Sequence, residues 1–141
     1  NPQRMANIKD GYALQLAVRK GLKIAIISGA SGEGLAERFK YLGINDVYLK
    51  AGVKRKLLEG WMNVNGLSAE EVAYAGDDVP DRECMECVGL PVAPADSCVD
   101  ILRVARYISP VNGGYGVARD LLEEILRAQN LWPDTDKACG W

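Results

Sequence analysis

The chain has 141 residues, 48% of them hydrophobic and 26% charged, the balance of one globular domain rather than a disordered segment. Its 17 basic and 19 acidic residues leave a net charge of −2, which argues against bulk binding to a phosphate backbone. It contains no histidine, and that absence removes Ser-His-Asp and Cys-His nucleophile pairs, histidine-ligated zinc and every histidine acid–base scheme.

From Gly11 onward, helix-like and strand-like segments alternate. Residues 11–20 place Leu14, Ala17 and Val18 at helical spacing, and Gly21 stops the turn. Residues 23–27 (Lys-Ile-Ala-Ile-Ile) form a β-branched run suited to a central parallel strand covered on both faces. A small-residue turn over 28–32 leads into a helix ending at Gly43, and a weaker strand follows at 47–49. Residues 55–65 are expected to be helical, and Ser68-Ala69-Glu70-Glu71 has the form of a capping box just before a buried strand at 72–75. Pro80 suits a helix start after that strand. Further strands are expected at 90–93 and 107–108, with helices at 97–103 and 117–129. Residues 133–141 are expected to be a loose tail, which gives an expected domain of residues 1–132.

This alternation with short connections implies right-handed βαβ units and an α/β fold with a doubly wound parallel sheet. No apolar stretch approaches the roughly 18 residues of a membrane span, and no signal peptide is visible, so the cytoplasm is the expected location. Cys84 and Cys87 form a CxxC within the helix after residue 81 and are read as packing, while Cys98 and Cys139 stand alone. The first residue is Asn1, so the chain is expected to begin downstream of a natural start.

In doubly wound sheets ligands bind at the carboxyl ends of the strands, where this chain places Ser28, Gly52, Asp77 and Asp78. Gly76-Asp77-Asp78-Val79-Pro80-Asp81 sets three carboxylates within five residues directly after a strand. A hard cation such as magnesium would relieve their repulsion; alternatively the turn is solvated, with Asp78 or Asp81 capping the next helix. Ser28-Gly29 offers a hydroxyl and a bare amide at a strand end, a natural phosphate seat as well as a common turn. Lys56 could neutralise a phosphate, although Lys54, Arg55 and Lys56 together also read as a solvated basic patch. Gly113-Gly114-Tyr115-Gly116 lacks the lysine and hydroxyl ending of a Walker loop and reads as a turn.

The order SG, GxxxK, GDDxxD resembles the haloacid dehalogenase-like phosphatases, an aspartyl-phosphate superfamily. It is similar above all to the capless branch of 3-deoxy-D-manno-octulosonate 8-phosphate phosphatases and the related nonulosonate 9-phosphate phosphatases. The strings that carry the likeness include IAIISG at 24–29, GVKRK at 52–56, VAYAGDDVPD at 72–81 and NGGYGVARDLLE at 112–123, and it extends over about residues 7–130. The resemblance implies a magnesium-dependent phosphomonoesterase of lipopolysaccharide biosynthesis acting on a phosphorylated sugar acid, assembled as a homotetramer. It implies that Ser28 binds the phosphoryl group, that Lys56 steadies phosphate and nucleophile, and that Asp77 ligates Mg2+ directly. By the same likeness Asp78 and Asp81 hold metal-bound water and the loop, and Asp10 and Gly11 belong to a substrate-side loop. Gly113, Gly114, Gly116 and Arg119 match a C-terminal segment that reaches toward a neighbouring subunit's site.

Two departures qualify that likeness. The family's nucleophile and general acid lie in a DxDGxxT string on the first strand, and these 141 residues contain no such string. The sheet is therefore expected to lack its first strand, and a catalytically inactive oligomerisation or regulatory domain is the alternative. Ala30 stands where octulosonate enzymes tend to carry arginine and nonulosonate enzymes glutamate, which leaves the sugar acid open.

Overall fold

Strand and helix alternate through the residues that the computed structural model describes, 8–29, 34–76, 78–113 and 116–132. In chain order they are α1 (Ile8–Arg19), β1 (Ala25–Ile27), α2 (Leu35–Tyr41), β2 (Asp46–Tyr48), α3 (Lys54–Val64), β3 (Ala73–Ala75), α4 (Arg82–Met85), β4 (Leu90–Ala93), α5 (Val99–Val104), β5 (Tyr107–Ile108) and α6 (Val117–Ala128). Every strand pairing is parallel, in the order β1-β2 for one sheet and β3-β4-β5 for the other. Among the described residues no hydrogen-bonded strand joins β1 to β3.

Local chemistry sets the boundaries. Gly43 takes φ +92° after α2, its N–H bonding to Lys40 O and that of Ile44 to Phe39 O, so the last turn is closed and the chain redirected into β2. The capping box forms as expected: Glu71 Oε1 accepts from the Ser68 N–H at 3.0 Å, and a short 3-10 turn then delivers the chain into β3. Pro91 sits inside β4, and its carbonyl accepts from Arg106 N on the β5 side, one residue before β4–β5 pairing begins at Val92 and Tyr107.

Three apolar clusters hold the layers together. Leu16, Ala17, Ile44 and Leu126 bury α1 and α6 against the β1–β2 half. Leu58, Trp61, Val72 and Cys84 pack α3 and α4 with Ala25, Ile27 and Tyr74, so this cluster spans both sheets. Met85, Ala93 and Ile101 fill the far side. The first hydrophobic run is covered on both faces as expected, Ile24 and Ile26 packing on the α1–α6 cluster and Ala25 and Ile27 on the α3–α4 cluster; among the described residues β1 is half-buried and pairs along one edge, with β2. Cys84 is buried in the bridging cluster, whereas Cys87 lies beyond the end of α4 and half-buried; both are free thiols. Cys139 and the remainder of 133–141 lie outside the described residues.

Candidate functional site

The acidic turn occupies the carboxyl end of β3. Gly76 is still in the sheet, its N–H donating to Val92 O at 3.0 Å. Asp78, with extended φ −141°, caps a 3-10 turn over Val79–Asp81: its Oδ1 accepts from Val79 N at 2.8 Å, and its carbonyl accepts from Asp81 N at 2.8 Å. Asp81 in turn accepts from Asp78 N through Oδ2 at 3.4 Å. The capping alternative is thus realised in the backbone itself. Asp77 lies outside the described residues.

Of the two described carboxylates of the turn, Asp78 is exposed and Asp81 is buried. Its Oδ1 accepts from Lys54 Nζ at 3.0 Å and from the Tyr74 hydroxyl at 2.8 Å. The two side chains of the ion pair retain 18% and 9% of their exposure, so the pair is shielded from solvent in a way that surface pairs are not. Gly76 makes the approach possible: a Cβ there would stand 2.5 Å from Asp81 Cβ and 2.9 Å from its Cγ. Burial first, and then the Asp81 carboxylate, push the Tyr74 hydroxyl far above its ordinary pKa and keep it a donor. Burial likewise raises the Cys84 thiol, which suits an inert packing role.

The lysine that reaches this turn is Lys54, the first residue of α3, and not Lys56. Helix residues two apart point about 200° away from each other, so only one of the pair can face the sheet. Lys56 is exposed and lines an open depression of about 560 Å3 at the end of β2, together with Lys50, Gly52 and Val53. Sequence spacing alone did not separate the two lysines; helical phase does.

Ser28 and Gly29 end β1. Ser28 N donates to Tyr48 O at 2.9 Å, and Ser28 O accepts from Ala51 N at 3.0 Å. The β2–α3 loop is therefore tied to the serine turn at Ala51 and to the acidic turn at Lys54, three residues later. Residues 30–33 lie outside the described residues, Ala30 among them.

Other expected site residues fall elsewhere. Asp10 and Gly11 lie within α1 rather than in a loop, a correction that follows from the helix starting at Ile8. The Arg119 guanidinium stacks over the Trp132 ring at 4.6 Å and the Tyr12 ring at 5.7 Å, on the seam between α1 and α6. Gly116 begins α6 with φ +100°, and Gly113 N donates to Asp96 Oδ1 at 2.8 Å; Gly114 lies outside the described residues. A second tyrosine–carboxylate centre was not anticipated: Asp120 Oδ2 accepts from Tyr107 OH at 2.7 Å and from the buried Ser109 Oγ at 2.8 Å. This bond, with some burial, pushes the Tyr107 hydroxyl up to about 12.

A magnesium ion takes hard oxygen donors. Asp78 offers an exposed carboxylate of that kind at the strand end, adjacent in sequence to Asp77. Asp81 has Oδ1 engaged by a lysine and a tyrosine. Among the described residues no group of three metal-ligating side chains comes together. Asp77, Asp78 and Asp81 all carry the hard oxygen donors that such a cation takes.

No protein-family model matches the chain. It is 33% identical over 123 residues to the 3-deoxy-D-manno-octulosonate 8-phosphate phosphatase of Escherichia coli K12, covering 87% of this chain and 65% of that relative's length. Among solved structures, the Moraxella catarrhalis 3-deoxy-D-manno-octulosonate 8-phosphate phosphatase, in complex with magnesium, phosphate and the sugar acid, superposes with a TM-score of 0.85 at 31% identity over 95% of this chain and 76% of that one. A structure from Legionella pneumophila described as a haloacid dehalogenase superfamily (subfamily III A) hydrolase gives a TM-score of 0.84 at 35% identity, covering 88% and 68%. The α/β frame is shared with the two solved structures. The chain belongs to the haloacid dehalogenase superfamily and, within it, resembles the 3-deoxy-D-manno-octulosonate 8-phosphate phosphatases.

Proposed function

We propose that the protein is a magnesium-dependent phosphomonoesterase acting on a phosphorylated sugar acid, 3-deoxy-D-manno-octulosonate 8-phosphate or a related nonulosonate 9-phosphate, through an aspartyl-phosphate intermediate. The observation that carries the reading is the β2–α3 loop, which couples Ser28 at one strand end to the Lys54–Asp81 pair at another. In this reading the Ser28 hydroxyl and Gly29 amide hold phosphoryl oxygens, and the Lys56 ammonium stabilises their charge. Asp77 and Asp78 would hold the divalent ion, which when bound screens the negative charge of the phosphoryl group. Asp81 keeps Lys54 in place. These 141 residues contain no string matching the one that carries the family's nucleophile and general acid, so the residues here are read as the phosphate seat. A cytoplasmic homo-oligomer, tetrameric by resemblance, completes the reading; no described helix is long and apolar enough to cross a membrane.

Phosphate release by the protein at its full natural length, with and without magnesium, tests this across octulosonate 8-phosphate, nonulosonate 9-phosphate and simple sugar phosphates. The expected result is metal-dependent turnover of a sugar-acid phosphate that Asp77→Asn abolishes. Folded protein inert toward every ester would favour the non-catalytic oligomerisation or regulatory domain, and unchanged turnover in Asp77→Asn would refute the metal assignment.

A further inference from the structure

Two free thiols share the turn that ends α4. Cys87 N donates to Cys84 O at 3.0 Å, a bond of the 3-10 type, and in such a turn side chains three apart lie one above the other. Helical rise and radius then put the two Cα atoms roughly 5–6 Å apart, within the span of a disulfide. The pair is unequal. Cys84 is 0% exposed among Leu58, Trp61 and Val72, and burial, its largest influence, holds the thiol protonated. Cys87 packs half-buried against the same cluster. It is also the first cause that raises the exposed Arg55 guanidinium of α3, ahead of Glu59 and Glu83, which sets its sulfur at the solvent edge of the seam between α3 and α4. A reagent arriving from solvent therefore meets Cys87 and not Cys84.

We propose that Cys84 and Cys87 form a redox-active dithiol: Cys87 attacks a small disulfide such as glutathione disulfide, and Cys84 then closes an intramolecular bridge. In the first step the Cys87 sulfur gives up its proton and bonds to one glutathione sulfur, while the glutathione S–S bond breaks and one glutathione thiolate leaves. In the second step Cys84 gives up its proton, attacks the Cys87 sulfur and expels the other glutathione thiolate. The two leaving thiolates take up the two protons; the cysteine pair loses two electrons and the small disulfide gains them. A buried thiol that is inert toward solvent can still attack a sulfur held beside it in one turn. Closure draws the Cys84 sulfur toward the edge of the cluster that spans both sheets. So short a loop gains little chain entropy from a cross-link, so the lost packing decides the sign and the bridged form is the less stable one.

The test incubates the full-length protein with glutathione disulfide, blocks the remaining thiols with iodoacetamide and maps the peptides by mass spectrometry. The expected product is a Cys84–Cys87 bridge, lighter by its two thiol hydrogens and opened again by dithiothreitol. The bridged protein is expected to melt about 3 °C below the reduced one. Cys84→Ser is expected to stop with one glutathione on Cys87, and Cys87→Ser to take up glutathione at Cys84 at least about tenfold more slowly than that. Should Cys84→Ser not fold, Cys84→Ala takes its place. A parent protein that keeps both thiols, or that stops with glutathione on Cys87, would overturn the proposal. Equal rates at the two positions in the two variants would overturn the order of attack, and a bridged protein as stable as the reduced one would overturn the loss of packing.

Discussion

Asp81 and Asp120 are both held by a tyrosine hydroxyl, yet they do different work. Asp81 adds a lysine at 3.0 Å and sits in a turn at the end of a strand where the family places its chemistry. Asp120 adds the Ser109 hydroxyl at 2.8 Å and ties β5 to the first turn of α6. One centre holds a mobile charge still; the other fastens two elements. A carboxylate surrounded by neutral donors tolerates conversion to an amide far better than one that neutralises a shielded cation.

That contrast orders the expected effects. Asp81→Ala strands Lys54 and Tyr74 together, and its cost is expected to be about 3 kcal/mol in a denaturant titration. Gly76→Ala, which forces a methyl onto the Asp81 side chain, is expected to cost about 2 kcal/mol by the same measurement. Asp120→Asn keeps an acceptor for Tyr107 and Ser109, and about 1 kcal/mol is expected. The same substitution moves the Tyr107 hydroxyl from about 12 back toward 10.0, which an ultraviolet titration of phenolate absorbance reads directly. The sign is fixed by linkage: the folded state holds the phenolic proton more tightly. The stabilisation from this bond is therefore full below pH about 10 and is lost as pH rises toward about 12. Smallest of all is Arg127→Ala, which removes an exposed i,i+4 partner of Glu123 and is expected to change stability by only about 0.3 kcal/mol. A cost for Asp120→Asn matching that of Asp81→Ala would erase the distinction between the two centres.

Much of this was legible in the residues themselves. The β-branched runs, Gly43 and the Ser68–Glu71 box placed strands and helix ends within a residue or two, because those signals act locally. The acidic turn was visible for the same reason, being a run of charges straight after a hydrophobic strand. What the sequence left hidden depends on direction rather than spacing. Lys54 and Lys56 look alike in GVKRK, and only the phase of α3 shows which faces Asp81. Tyr74 reads as one more apolar strand residue until the turn folds back beneath it. Arg119 matches a family motif, but Tyr12 and Trp132, more than a hundred residues apart, must come together before its aromatic seat exists.

The central claim is that the solvent-facing Lys56 meets the phosphoryl group, while the buried acid Asp81 holds Lys54. Phosphate release from octulosonate 8-phosphate by full-length Lys54→Met and Lys56→Met proteins tests it most directly. The account predicts that Lys56→Met loses at least about a hundredfold in kcat/KM, while Lys54→Met stays within about tenfold of the parent. The opposite ranking, with Lys56→Met active and Lys54→Met inactive, would contradict it.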